Sequence, residues 1–462
     1  MRGTFVTGAA ELARAALRDA GPNVFAERML AIFDMPVGDY MRELARYRPA
    51  APMDPPFRHA LRRALDRSGL SDSDAAHALA GLEHGRTLQT SGHLTLSNGP
   101  GFFGVDWLST LAATGPDTPC VIGVFSSVPF NNDAKSGCLN FGDRYGLRDV
   151  IDARCPAWHE LARADRDRRH GTRERRVSLV PTRLVRRLVF GARVPDRTHE
   201  LLPYLSEPLQ CIVPPAIPDD MSALATTMCA RLESAIFGRP MVFVDLCELV
   251  SDYLQTVLLD DAHPMARLCF DAALNTRLRQ ALPQVSWFSF AGPDGDRCEQ
   301  LRVDGARLTG RGFDLGWEPA SVAEALRDRV LCPGLFPVFA SIAFVNQFQC
   351  FGSFNQVQYL TQMKRVLSQL RGFDGDSIAA IPTDALTLGR VRNDDGAEVH
   401  PIDVLLGSPI EWNPHRSVGD FASTVIMKRR WQRNGFADAG AGPPHAFDAA
   451  LQGGAARERC RL

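Results

Sequence analysis

The sequence predicts an α/β protein: a Rossmann-like parallel-sheet core with a helical N-terminal region and insertions. Three observations predict it. Residues 1–85 carry apolar positions at helical spacing. A Gly-rich stretch from Leu88 then opens an apolar helix, which is followed by the short apolar run PCVIGVFSSVPF. Further on, a long helical pattern from Met221 leads into a second buried-strand run, RPMVFVDLCELV. Loop, helix, then buried strand, repeated, is the order that produces parallel sheets covered by helices.

The N-terminal region reads as helices at ELARAALRDA, FAERMLAIF and FRHALRRALDR, separated by the prolines at 49, 52, 55 and 56. SDSDAAHALAGLEHG follows as a capped helix, with Ser71 or Ser73 as cap and Gly85 as stop. The core is expected over residues 86–435. Within it LQTSGHLTLSNGPG reads as a turn-rich loop ahead of the helix, and TVLLD reads as a further strand-like run. HPMARLCFDAALNTRLRQAL reads as helix, WFSF begins another strand region, and residues 436–462, rich in Gly, Ala and Pro, read as a disordered tail.

Composition narrows the function classes. In 462 residues the apolar fraction is 45% and the charged fraction 23%, as in ordinary globular proteins. The 52 basic and 53 acidic residues nearly cancel, which argues against a nucleic-acid partner, because phosphate neutralisation supplies most of that affinity. One local exception is an Arg-rich insertion around 160–190. Residues 163–187 hold ten Arg against three acids, read either as a solvated insertion or as an anionic entrance. No apolar run is long enough to span a membrane, and Glu11, Arg14 and Arg18 interrupt the first helix, so neither membrane partner nor secretory signal is expected. Eleven scattered cysteines without a CxxC pair fit a reduced, cytoplasmic setting and give no metal site.

Three stretches carry candidate chemistry. In SGHLTLSNGPGFFG, Ser91, Asn98, Gly99 and Gly101 are candidate substrate contacts ahead of a helix N terminus, and His93 is a candidate general base. A tight turn feeding a buried helix explains the same residues equally well. In SSVPFNND, Ser126, Asn131, Asn132 and Asp133 follow a buried strand, where open α/β sheets place their ligands. Asp133 is the candidate catalytic acid or base there, with a plain turn as the other reading. In NQFQCFGSFNQVQYL, side-chain amides crowd an apolar region around Gly352, and Asn346, Gly352 and Gln356 are further candidate contacts. Asp260-Asp261 with His263-Pro264 reads as a carboxylate–histidine cluster or as a turn and helix cap. There is no GxSxG, HExxH, Walker or EF-hand pattern.

The order of these blocks resembles the bacillithiol-biosynthesis cysteine-adding enzymes. The residues carrying the resemblance are Thr90-Ser91-Gly92-His93-Leu94 with Asn98-Gly99-Pro100, then LLDDAHPMARLCFDAAL, then Gly352, Gln356, Tyr359, Gln362 and Lys364, and finally Pro382 to Thr387. It runs from about Leu88 to Gly389. An acidic, His-containing stretch of that family is FNND here, so only Asp133 keeps the acidic character, and Gln356 stands where that family has Glu. The resemblance implies a ligase-like enzyme that condenses an amino acid, cysteine or another, with a small polar metabolite. It places Tyr359 and Lys364 with Gln356 on the wall of the substrate site. A binding or scaffold protein that keeps the fold without the chemistry, and an unrelated nucleotide-dependent transferase, are the alternatives. The sequence leaves the cofactor unknown and the oligomeric state open.

Overall fold

The computed structural model describes residues 4–20, 24–113, 115, 118–128, 137–167, 174–181, 184, 189–283, 285–291, 298–371, 373–393 and 395–428. Helices open the chain: α1 (Thr4–Asp19), α2 (Val24–Ile32), α3 (Val37–Leu44), α4 (Pro55–Arg67) and α5 (Asp72–Gly85). Ser71 caps α5 by accepting from the Asp74 amide, and Arg86, in left-handed backbone, ends it.

The centre is a four-stranded, all-parallel sheet. Its strands are β1 (Thr87–His93), β2 (Cys120–Phe125), β5 (Met241–Asp245) and β6 (Gln349–Phe351), in the order β6-β1-β2-β5. Between β2 and β5 the chain forms a hairpin of β3 (Cys138–Gly142) and β4 (Glu174–Ser178), which gives part of the Arg-rich stretch a strand structure. Helix α6 (Pro100–Ala112) connects β1 to β2, and α7 (Met221–Phe237) leads into β5. Helix α8 (Leu246–Val257) follows β5 and α9 (Pro264–Phe270) comes next. Helix α10 (Phe354–Leu367) leaves β6, and α11 (Val418–Lys428) ends the described chain. Two small antiparallel sheets lie between Phe288 and Pro333.

Side-chain alternation splits the core in two, as strands buried on both faces require. Ile122, Met241 and Phe243 pack toward α7, while Val121, Val242 and Val244 pack toward α8 and α4. The N-terminal helices are joined to this core rather than standing apart. The Tyr40 hydroxyl donates to the Leu386 carbonyl at 2.9 Å and accepts from the Leu386 amide at 3.0 Å.

The structure corrects three expectations. Leu88–His93 is not a loop but part of β1, one of the sheet's two inner strands. Its polar residues conceal it, and Gly92 is demanded by the sheet, since a Cβ there would lie 2.9 Å from Val124 Cγ1. RPMVFVDLCELV is strand only to Asp245. That carboxylate then caps α8 by accepting from the Cys247 amide, and the apolar spacing onward is helical. TVLLD is therefore the end of α8 and the turn after it. His263 caps α9 with Nδ1 accepting from the Met265 amide, and its Nε2 lies 3.1 Å from Asp54 Oδ2.

The amide-rich stretch before β6 has a structural explanation. A single π-helical segment, Ala340–Val345, ends at Asn346, which is fully buried. Asn346 Oδ1 accepts from the Asp54 amide at 3.1 Å, and its Nδ2 donates to the Ser341 carbonyl at 2.9 Å. Gln347 Oε1 accepts from the amides of Ala50 and Ala51. These amides fasten the Pro-rich linker ahead of α4 to the amino end of the sheet. Asn346→Ala leaves the Asp54 amide without its partner and takes one of two donors from the Ser341 carbonyl, for an expected loss of about 1–3 kcal/mol in urea denaturation. Asn346 lies at the amino end of the sheet, away from the carboxyl strand ends where parallel sheets bind ligands, so ligand affinity is expected to stay unchanged.

Candidate functional site: a cleft at the carboxyl end of β1

In a parallel sheet the strand order decides where a crevice opens. The chain moves from β1 to β2 on one side, yet its last strand, β6, lies on the other side of β1. Connections that part in opposite directions leave a gap beyond the carboxyl ends of the two strands. A cleft of about 250 Å³ lies there.

Its walls come from distant parts of the sequence. Ser91 and His93 project from β1, and Gly99, Pro100, Gly101 and Phe102 are the cap and first turn of α6. Ser353 follows β6, while Thr387 and Arg390 come from the segment that runs beside β6, paired through Gly352 and Leu386. Pro100 at the first helical position suits the fixed φ of proline, and the free amides of this 13-residue helix give the cleft a positive end.

One buried side chain organises the end of β1. The register of β1 against β2 shifts between Gln89 and Gly92, so the amides between them lack regular strand partners. Gln89, 1% exposed, supplies them instead: its Oε1 accepts from the amides of Thr90 (3.1 Å) and Ser91 (3.2 Å) and from Ser91 Oγ (2.9 Å). Its Nε2 donates to Thr387 Oγ1 at 3.0 Å. Gln89 thus joins two walls of the cleft.

Among the described lining residues the ionisable side chains are His93 and Arg390. The His93 ring is half-buried, its centroid 5.4 Å from that of Phe102. Arg390 donates through Nη1 to Glu398 Oε2 at 2.5 Å, and its Nε is buried with no hydrogen-bond partner. Glu398 thus holds in place the guanidinium that gives the described lining its fixed positive charge.

Of the sequence candidates, the structure gathers Ser91, His93, Gly99 and Gly101 in the cleft. Asn98 is 2% exposed, and its Nδ2 donates inward to Asp106 Oδ2 and Glu233 Oε1, both at 2.8 Å, so its amide faces the protein and not the cleft. Ser126 is fully buried at the end of β2. Asn131, Asn132 and Asp133 lie outside the described residues. Asn346 is at the far end of the sheet.

Gly352, Gln356, Tyr359 and Lys364 stand behind the wall rather than in it. Gln356 Nε2 donates to Thr90 Oγ1 at 2.7 Å and to the Phe351 carbonyl at 3.0 Å, filling the space that a Cβ on Gly352 would need. Tyr359 is half-buried against Phe339, and desolvation holds its hydroxyl well above the usual phenol range. Lys364 Nζ donates to the Ile381 carbonyl at 2.8 Å, and burial lowers its pKa. Sequence reasoning missed Gln89, Ser353 and Arg390 as site residues. Arg390 follows a Leu-Gly pair with no motif around it, and Ser353 had only its place after Gly352 to mark it.

No protein-family model matches the chain, and no curated protein matches it. What the fold defines is a class: a mixed α/β protein with an all-parallel four-stranded sheet. Among the described residues no helix is long and apolar enough to cross a membrane, and no group of three or more His, Cys, Asp or Glu is placed to hold a metal ion.

Proposed function

We propose that the cleft at the end of β1 binds the anionic group of a small polar metabolite, and that the protein joins an amino acid to that metabolite. One observation carries the binding part: the first turn of α6, His93 and Arg390 converge at the switch point of the sheet. The reaction type is supported by the motif order from Leu88 to Gly389. In such a condensation the acceptor's amine nitrogen attacks an activated acyl carbon of the amino acid. The activating group, a phosphate or adenylate installed at the expense of a nucleoside triphosphate from the extract, departs with the bonding electron pair, and the imidazole of His93 takes the proton the nitrogen loses. Histidine suits that role because its ordinary pKa lies near neutrality.

A binding protein without chemistry is the second reading. It is favoured by the absence of any carboxylate among the described residues of the cleft wall, which leaves His93 as the only group there suited to proton transfer.

The test is mass spectrometry of the purified protein with isotope-labelled amino acids and extract of its native cells. A labelled species heavier by one amino acid less water, absent with His93→Ala, supports the ligase reading. No product from any amino acid favours the binding protein. In either case Arg390→Ala is expected to weaken binding of an anionic ligand about tenfold to a hundredfold by calorimetry.

A further inference from the structure

Behind the rim of the cleft lies a polar cluster closed off from solvent. Asn98 sits in the loop between β1 and α6, Asp106 on α6 and Glu233 on α7. Asp106 is 1% exposed and Glu233 fully buried. The two N–H bonds of one Asn98 amide serve one oxygen of each carboxyl, at 2.8 Å apiece. The second oxygens, Asp106 Oδ1 and Glu233 Oε2, are buried and have no donor.

Two buried carboxylates cannot both remain ionised and unpaired at close range without a large desolvation cost. A single proton held between the two carboxyls relieves it, as an O–H···O⁻ hydrogen bond from Glu233 to Asp106. Desolvation and the neighbouring Asp106 both push Glu233 well above the ordinary carboxylate range, and desolvation does the same to Asp106. The other titratable groups facing the pair are the thiols of Cys120 on β2 and Cys229 on α7, which burial pushes up and so keeps neutral.

We propose that Asn98, Asp106 and Glu233 form a positioning unit that holds the cleft's rim loop in place through one proton shared between the two carboxyls. The unit joins α6 to α7 and fixes Asn98, next to the Gly99 cap. Within the same loop Thr95, also on the cleft wall, donates to Asn98 Oδ1 at 3.2 Å, and its carbonyl accepts from Cys229 Sγ on α7 at 3.2 Å. Loss of the shared proton sets two anions against each other and releases the loop. The inference rests on the cleft being the ligand site.

The sign of the pH effect follows from the raised carboxyl pKa. The folded state holds a proton that the unfolded chain releases near pH 4.3, about the ordinary Glu value. This contribution to stability is complete below that pH and is lost as pH rises toward the folded value. Glu233→Gln imitates the protonated acid: its Nε2 donates to Asp106 and its Oε1 accepts from Asn98. Asp106→Asn with Glu233→Gln leaves too many donors facing one another.

The test is hydrogen exchange of the amides at 94–103 between about pH 6 and about pH 9, corrected for intrinsic rates, together with calorimetric binding of sulfate, whose charge is constant there. In the wild type, protection and sulfate affinity are expected to fall as pH rises. Glu233→Gln is expected to keep protection level and to bind sulfate more tightly than the wild type at the upper end of that range, and Asn98→Ala and the double amide variant are expected to exchange about tenfold faster throughout. The same pH dependence in Glu233→Gln as in the wild type, or unchanged protection in Asn98→Ala, overturns the unit. Failure of the wild type to bind sulfate overturns the cleft reading, and the inferred link to a ligand with it, whatever the exchange results.

Discussion

His93→Ala is expected to lower turnover by about 10²–10⁴-fold in the labelled amino-acid assay, the usual contribution of a positioned proton-transfer group. The fold is expected to survive, because the side chain is half-buried at the end of β1 and the ring contact with Phe102 at 5.4 Å contributes only about 1 kcal/mol. His93→Gln keeps a polar group of similar reach without an imidazole's basicity. Equal losses in both variants assign the effect to proton transfer. Restoration by glutamine assigns it to hydrogen bonding and removes the general-base role. A falling rate below the imidazole pKa in the wild type, absent from the variants' residual activity, is the matching pH signature.

Gln89→Leu is expected to produce the largest loss of stability among substitutions around the cleft, about 3 kcal/mol or more. Leucine nearly matches the volume but offers neither donor nor acceptor. It leaves the Thr90 and Ser91 amides and the Thr387 hydroxyl without the partners they have now, each at about 1–3 kcal/mol where water cannot reach. Ser91 is half-buried and recovers part of its loss through solvent, which keeps the figure below the full sum. Urea denaturation gives the change directly, and a loss under about 1 kcal/mol contradicts the organising role. Because Gln89 connects β1 to the segment carrying Thr387, weaker ligand binding is expected in the surviving folded protein.

What was legible in the sequence follows the physics of each element. Helices with caps and apolar runs were visible. Ser71, the prolines before α4 and the long pattern from Met221 each signal locally, and so do the apolar strands β2 and β5. Strand β1 was not visible, because a central strand reading Thr-Leu-Gln-Thr-Ser-Gly-His has Leu88 alone as an apolar side chain, and its order depends on Gln89 reaching its neighbours. Within the cleft, the glycines and His93 were legible because a Gly-rich turn before a helix has a mechanism of its own. Arg390 was not, since nearly 300 residues separate it from His93, and tertiary links such as the pairing of Gly352 with Leu386 and the Gln89–Thr387 bond bring the two together. Side-chain amides before β6 signalled a buried polar requirement correctly, but local sequence does not distinguish holding a ligand from holding a linker. The linker's amides at Ala50, Ala51 and Asp54 are what they hold.

The most direct test of the central claim is hydrogen exchange along the whole chain, with and without saturating malate, citrate or inorganic phosphate. The account predicts protection confined to residues 91–102 and 387–390, reduced by Arg390→Ala at the same ligand concentration. Protection elsewhere, or none with any of the three anions, contradicts a ligand site at the carboxyl end of β1.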